Sequence, residues 1–170
     1  MKKLILFAAV MLTPALALAQ GAPWDLAKKV AGDAATKKLE KEINTRLLDE
    51  GRKNQCSFKT DSDQLEPGCD QKMKKLSNVL IEAKKKLNGA GVNNFKFEVS
   101  GHTDTSGNAA HNKDLSGKRA AVIVKELVAK GVPQDEIISV GMGAERPLVK
   151  PDNTPAKKAQ NRRYEIQVRL

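Results

Sequence analysis

After residue 54 the chain alternates between short segments with strand character and longer segments with a helical period. Four short segments, 57–59, 95–99, 137–140 and 164–170, are candidate strands, and the second and fourth show clear apolar alternation. Residues 72–87, and again the segment that ends at Gly131, instead place their apolar side chains on one helical face. Strands that alternate with helices pack as layers, with helices over one sheet. The pattern therefore predicts an α/β (α+β) fold.

Residues 1–19 have the three parts of a secretory signal peptide. Two lysines precede the apolar run 4–12, and Ala17-Leu18-Ala19 supplies the small-x-small pattern of a cleavage site. The run is shorter than the roughly 20 residues that a membrane-spanning helix needs, which favours cleavage over an uncleaved anchor. We therefore expect an exported protein that begins at Gln20. No cysteine lies near that point, so the sequence gives no support to a lipid anchor.

The chain has two cysteines, Cys56 and Cys69. In an exported protein two cysteines are most simply joined as one disulfide, with two free thiols as the alternative. A metal site at the cysteines is disfavoured because the only histidines, His102 and His111, are far away in sequence. We expect no metal and no cofactor.

Residues 20–53 form a separate N-terminal segment of helical character. Apolar residues recur there at four- or five-residue steps between lysines and glutamates, and residues 20–70 contain nine basic and ten acidic side chains. The stripe is weak and rich in alanine, so packing on the domain or spacing is favoured over a strong coiled coil. Pairing with a second copy, or contact with an envelope protein, is a further use for such a helix.

The formal net charge of +10 raises the question of nucleic-acid binding. Aromatic residues make up only 4% of the chain, and the lysine-rich face of segment 72–87 contains none that could stack on bases. An exported protein also meets envelope polymers rather than chromatin. We therefore expect no nucleic-acid partner.

The loop after segment 95–99 is the strongest candidate for a binding site. In an open α/β sheet, ligands bind beyond the carboxyl ends of the strands. The glycines of the loop allow tight turns that direct backbone amides at a ligand. Asp104 lies in the loop and Arg119 follows 15 residues later. Such a pair suits a zwitterionic ligand, although a salt bridge between the two residues is the simpler interpretation of the spacing alone.

The second half of the chain carries four motifs in a defined order: GHTDxxG at 101–107, NxxLSxxRA at 112–120, GxGxExP at 141–147 and NRR at 161–163. In residues and spacing this set resembles the OmpA-like C-terminal domain shared by OmpA, Pal and MotB proteins. The resemblance covers about residues 54–170 and implies a mixed four-stranded sheet with helices packed against it. The chain then divides into a signal peptide (1–19), an N-terminal helical segment (20–53) and this domain (54–170).

The resemblance also implies non-covalent binding of peptidoglycan through the meso-diaminopimelate of its stem peptide. By analogy, Asp104 receives the diaminopimelate ammonium and Arg119 receives its side-chain carboxylate. Asn112 and Arg162 would support the stem or its terminal groups. The 101–107 loop would complete the pocket with Thr103, Thr105 and Gly107. Such a domain anchors or spaces an envelope component at the cell wall, in the periplasm of a Gram-negative-type bacterium, with association to the outer membrane as one option.

A peptidoglycan hydrolase is the competing interpretation of the same loop. His102, Asp104 and His111 lie close enough in sequence for acid–base chemistry or for metal ligation. No further histidine, free thiolate or carboxylate cluster accompanies them, and a catalytic group needs an oriented partner. We therefore expect a structural His102 that hydrogen-bonds the loop backbone, and a protein that is not an enzyme.

Overall fold

The computed structural model describes residues 23–170, with side chains from residue 32 onward, so the predicted signal peptide lies outside the described residues. Within this range the order of elements is α1 (Pro23–Lys53), α2 (Asp70–Gly89), β1 (Lys96–His102), α3 (Ala109–Ala129), β2 (Ile137–Gly143), α4 (Pro155–Asn161) and β3 (Tyr164–Arg169). A short 3-10 turn, Gln134–Glu136, leads into β2. None of the helices in this range combines the length and hydropathy that crossing a membrane requires.

The three strands form one mixed sheet in the order β2-β1-β3. The central strand β1 is parallel to β2, with Phe97 opposite Ile137, and antiparallel to β3, with Val99 opposite Ile166. Helix α3 makes the crossover between the two parallel strands, as a parallel pair requires. This connection places the loop between β1 and α3 at the carboxyl end of the central strand.

Helix α1 lies along the outer edge of β3. Asn44 donates from Nδ2 to the carbonyl of Val168 over 3.2 Å, and its Oδ1 accepts from the Val168 N–H over 2.7 Å. Gln55, two residues past the helix, forms the same pair of bonds with Tyr164, at 2.8 and 3.3 Å. Residues 44–53 rise about 14 Å in the helix, and residues 164–168 span about 13 Å in the strand. Because Asn44 bonds to Val168 and Gln55 to Tyr164, the two elements run nearly side by side and antiparallel.

The expectation of four strands is wrong for the described residues, which form three. Segment 57–59 folds back on residues 64–66 instead of joining β3, and its pairing is the single bridge between Phe58 and Leu65. Lys59 N–H donates to the carbonyl of Gln64 over 2.9 Å within this small hairpin. The physical reason is that α1 already occupies the edge of β3, where side-chain amides supply the hydrogen bonds that a fourth strand would make.

The core is aliphatic and lies between the sheet and the helices α1, α2 and α3. The predicted apolar face of α2 is buried as expected: Met73, Leu76, Val79, Leu80, Ala83 and Leu87. Ile43 and Leu47 bring α1 into the same core. The Tyr164 ring is 1% exposed, and its hydroxyl donates to the carbonyl of Asn54 over 2.7 Å. The N-terminal helix is therefore packed on the domain, which was one of the uses considered for it.

Helix α3 approaches the sheet closely because glycines face it. A Cβ at Gly101 of β1 would collide with the carbonyl oxygen of Ser116, and one at Gly141 of β2 would lie 2.7 Å from the backbone nitrogen of Gly117. The Ser116 hydroxyl accepts a hydrogen bond from the N–H of Gly143 over 2.8 Å. These contacts fix the first turns of α3 against the strand ends and so fix the loop between them.

Candidate functional site

A cleft of about 940 Å³ opens beside the carboxyl end of β1. Its walls come from the end of α1, the hairpin 57–66, the loop between β1 and α3, the inner face of α3, and the connection from α4 into β3. Four of the predicted site residues with charged or amide side chains line it: Asp104, Asn112, Arg119 and Arg162.

The Asp104 carboxylate is mostly buried and has two partners. Its Oδ1 accepts from the Ser106 N–H over 3.0 Å, and its Oδ2 accepts from Arg162 Nη1 over 2.8 Å. Burial acts to raise the pKa of Asp104, but the hydrogen bonds from Arg162 and Ser106 outweigh it and hold that pKa below its ordinary value. Asp104 is therefore a carboxylate at neutral pH, on the wall of the cleft.

The Arg119 side chain is buried beneath the hairpin 57–66. Its Nε donates to the carbonyl of Ser62 over 2.8 Å and its Nη2 to that of Lys59 over 3.3 Å. The guanidinium carbon lies 5.1 Å from the centre of the Phe58 ring, within cation–π range. Burial, and then repulsion from Arg162, lowers the pKa of Arg119, yet arginine stays charged in proteins.

Asp104 and Arg119 line the same cleft but are not paired with each other. Among residues 32–170 Arg119 has no carboxylate within ion-pairing distance, whereas Asp104 is paired with Arg162. The simple salt bridge that the spacing suggested is thus not formed. Only two of the five N–H groups of Arg119 are used by carbonyls, so the guanidinium retains donors that no acceptor in the described residues takes.

The remaining predicted residues shape the loop in different ways. Asn112 donates from Nδ2 to the carbonyl of Ser106 over 2.7 Å, and the N–H of Thr103 donates to that of Gly143 over 2.9 Å. Thr103 and Asn112 line the cleft, and the Thr103 hydroxyl has no hydrogen-bond partner in the described part of the chain. Thr105 and Gly107 are not among the lining residues, and Gly107 supplies a turn with a φ of 84°.

Asp152 is a residue of this region that the sequence did not indicate. It accepts from the N–H of Thr105 over 2.9 Å, from the Thr105 hydroxyl, and from Asn161 Nδ2 over 3.0 Å. These hydrogen bonds, those from Thr105 first, lower the pKa of Asp152 to about 2. Asn161 also accepts from the N–H groups of Leu148 and Val149, at 2.8 and 3.1 Å. Asn161 belongs to the NRR motif and Thr105 to the 101–107 loop, so the sequence indicated the partners of Asp152 but not Asp152 itself.

The two histidines have separate surroundings. The His102 ring is 2% exposed, and its Nε2 lies 3.3 Å from the Ser100 hydroxyl and 3.9 Å from Glu165. Burial, and then the charge of Arg163, lowers the pKa of His102 to about 4, so its ring is neutral at pH 7. His111 is exposed and pairs with Asp61 over 2.7 Å. Neither ring forms a hydrogen bond with Asp104, as an acid–base dyad on this loop would require.

Cys56 and Cys69 are joined in a disulfide, as the cysteine count predicted, with their Cα atoms 5.5 Å apart. The disulfide joins the residue just before the hairpin 57–66 to a residue shortly after it. That hairpin carries the Lys59 and Ser62 carbonyls that hold Arg119. The disulfide therefore braces one wall of the cleft. In residues 32–170 no three His, Cys, Asp or Glu side chains are grouped as metal ligands.

Comparison with known proteins gives relatives over part of the chain. The peptidoglycan-binding protein ArfA of Mycobacterium tuberculosis is 41% identical over 73 residues, which is 43% of this chain and 22% of that protein. Outer membrane protein A of Klebsiella pneumoniae is 42% identical over 79 residues, which is 42% of this chain and 23% of that protein. The chain therefore matches less than a quarter of the length of either relative.

Solved structures share the fold. The peptidoglycan-associated lipoprotein of Burkholderia pseudomallei has a TM-score of 0.55 at 22% identity, over 68% of this chain and 89% of that one. The C-terminal domain of Helicobacter pylori MotB has a TM-score of 0.56 at 20% identity, over 68% and 84%. A sequence profile of the OmpA family matches residues 57–162, which include the whole loop from β1 to α3 and most of the cleft. The chain belongs to the OmpA family.

Proposed function

We propose that the protein binds peptidoglycan non-covalently, through the meso-diaminopimelate residue of the stem peptide. The observation that carries the proposal is the placing of Asp104 and Arg119 on the walls of one cleft without a bond between them. Diaminopimelate ends in an ammonium and a carboxylate on one carbon, and these two side chains offer a complementary charge to each. The family membership and the name of the ArfA relative support the same ligand class.

The chemistry of each contact follows from the groups available. The ligand ammonium would bind Asp104, whose carboxylate the loop amide of Ser106 already orients. The ligand carboxylate would take the donors that Arg119 retains, in the charge-assisted geometry that a guanidinium offers. Arg162, which pairs with Asp104 Oδ2, and Asn112 would support the stem. Thr103 would line the cleft, and Thr105 and Gly107 would shape the loop.

The proposed activity is binding without catalysis. His102, the candidate base of the hydrolase alternative, is buried against Ser100 and Glu165 rather than aligned with Asp104. A general base must reach the proton that it takes, directly or through one water. The geometry therefore supports the binding function better than hydrolysis, and prolonged incubation with sacculi should release no soluble muropeptides.

The protein would act in the envelope as an anchor or a spacer. A cleaved signal peptide would deliver residues 20–170 to the periplasm of a Gram-negative-type bacterium. The outer-membrane relative makes association with that membrane part of the proposal. Residues 32–38 precede the part of α1 that enters the core, and residues 32–35 are exposed. This part of the helix is available to an envelope protein or to a second copy.

The test is co-sedimentation of the purified protein with isolated sacculi. We expect binding to diaminopimelate-containing sacculi, and loss of binding in Asp104→Asn and in Arg119→Gln. Matched controls are Asp114→Asn, which alters an exposed ion pair with Lys118 on α3, and Arg46→Gln, which alters an exposed pair with Glu82. Undiminished binding by both cleft variants, or equal binding to a lysine-type wall, would refute the proposed contacts.

A further inference from the structure

The N-terminal helix contributes a wall to the cleft. Leu48, Gly51 and Arg52 of α1, together with Gln55 just beyond it, line the same space as Asp104. All four precede the residues that the OmpA family profile matches, which begin at 57. This side of the cleft is therefore a feature of this chain in addition to the family's motifs.

Arg52 is the one guanidinium of the cleft that binds nothing in the described residues. Arg162 is paired with Asp104 at 2.8 Å, and Arg163 is paired with Glu165 at 2.7 Å. Arg119 donates to two carbonyls of the hairpin. Arg52 takes part in none of the hydrogen bonds or ion pairs found within residues 32–170, although the adjacent Lys53 pairs with Asp49 and Glu50.

The backbone that carries Arg52 is held in place. Gln55, three residues further along, is bonded through both ends of its amide to Tyr164 of β3. Leu47 is 1% exposed in the core on the other side. Next to Arg52, Gly51 also lines the cleft, and a Cβ at Gly51 would meet nothing within 4 Å, so neighbouring side chains do not fill the cleft at this point. A cation on a fixed backbone beside open space suits an anionic group of a bound ligand.

We propose that Arg52 binds a second carboxylate of the stem peptide, in addition to the one that Arg119 takes. The inference rests on the proposed binding of peptidoglycan. Beyond the diaminopimelate carboxylate, a stem peptide carries a free carboxylate on its D-glutamate and another at its C-terminus. The ligand group is thus a peptide carboxylate, and α1 is part of the recognition site rather than a spacer only.

The test measures the affinity of the full protein for a soluble disaccharide-tetrapeptide by titration calorimetry. Arg52 is exposed, so Arg52→Gln should fold normally and bind about three- to tenfold more weakly, because one charge-assisted contact is lost. Arg46→Gln is the matched control, since Arg46 lies on the same helix, is exposed, faces Glu82 of α2 and is outside the cleft. Its affinity should equal that of the wild type. Equal affinity of Arg52→Gln and wild type would overturn the inference.

Amidated ligands identify the source of the carboxylate. One peptide carries D-isoglutamine in place of D-glutamate, and another carries a C-terminal amide. The amide that weakens wild-type binding, and leaves Arg52→Gln binding unchanged, marks the group that Arg52 contacts. If neither amide weakens wild-type binding, the inference is wrong.

The same titrations test the proposed function separately. If Asp104→Asn and Arg119→Gln both bind the ligand with the affinity of the wild type, the diaminopimelate site is refuted. Loss of binding in those two variants, with full binding in Arg52→Gln, would refute only the role of Arg52.

Discussion

Arg162 Nη1 lies 2.8 Å from Oδ2 of Asp104, so the carboxylate proposed to receive the ligand ammonium is paired with a guanidinium of the same chain. The two residues come from different parts of the fold, the loop after β1 and the residue that follows α4. The Asp104 side chain is 14% exposed and that of Arg162 is 46% exposed, so the pair is open to solvent on the arginine side. A ligand ammonium would therefore meet a carboxylate that is already charged and oriented.

We expect Arg162→Gln to raise the pKa of Asp104 relative to the wild type. The reason is that the Arg162 hydrogen bond and charge lower this pKa, whereas burial opposes them and remains in the variant. An NMR titration of the side-chain carboxyl carbon measures the pKa directly. Lys118→Gln, which removes an exposed cation on α3 that is paired with Asp114, is the control and should leave the titration of Asp104 unchanged. An unchanged Asp104 titration in Arg162→Gln would contradict the pairing.

Asn44→Ala should destabilise the protein by about 1–3 kcal/mol. It leaves the N–H and C=O of Val168, both at the edge of β3, without their partners, and unpaired buried backbone groups are costly. Urea unfolding of the variant gives the free-energy difference. Thr45→Ala is the neighbouring control, because the Thr45 hydroxyl bonds only to the carbonyl of Lys41 in its own helix. Similar stabilities for the two variants would mean that α1 does not protect the edge of β3.

Gly101→Ala should destabilise the protein by about 1–3 kcal/mol or more, because its Cβ would press on the backbone carbonyl of Ser116 and push α3 from the sheet. Gly117→Ala is the matched change on the facing helix. Its Cβ would lie 3.7 Å from the Gly141 Cα, an ordinary contact, and alanine favours a helix by up to about 1 kcal/mol over glycine. In thermal unfolding, Gly101→Ala should lower the Tm, whereas Gly117→Ala should raise the Tm or lower it by clearly less. If Gly117→Ala were destabilised and Gly101→Ala were as stable as the wild type, the close approach of α3 to Gly101 would be contradicted.

Stability should rise with pH between about 4 and 6.5 because of His102. In the folded protein burial and the charge of Arg163 lower the pKa of this ring to about 4, against an ordinary value of 6.5. In that window the unfolded chain binds a proton that the folded chain does not, so acid favours unfolding, and the contribution is complete above pH 6.5. The difference between the folded and the ordinary pKa of His102 corresponds to on the order of 3 kcal/mol in the free energy of unfolding.

His102→Gln should remove that part of the pH dependence, since glutamine does not titrate. The measurement is urea unfolding at a series of pH values from 4 to 7. A variant whose stability falls as steeply as that of the wild type across this window would show that another group is responsible.

The sequence indicated the elements of the fold better than their arrangement. The alternation of Phe97 and Val99 and the apolar face of α2 are local patterns, and both segments form the predicted element. Segment 57–59 has strand composition, but whether it pairs depends on what occupies the edge of β3. That edge is taken by Asn44 and Gln55, whose amides have no periodic signal.

For the candidate site, too, the residues were predictable from the sequence but their contacts were not. Asp104, Asn112, Arg119 and Arg162 were indicated by their motifs, and the structure places all four around one cleft. Their bonding partners were not predictable, because the Asp104–Arg162 pair joins residues 58 positions apart. Sequence spacing determines which residues meet only within one helix or one turn. Asp152 was missed for the same reason, since its contacts with Thr105 depend on how a distant loop returns to the strand ends.

The two pairs of amide hydrogen bonds between α1 and β3 also bear on how the protein would carry mechanical load. Asn44 and Gln55 bond to β3 at two points separated along its length, and the helix axis lies nearly along the strand axis. A force along the helix axis would load both pairs of hydrogen bonds at the same time, so that they would break together. A force across the helix would instead break one pair after the other. A wall-bound domain tethered through α1 would therefore resist tension best when the tether is drawn along the helix axis.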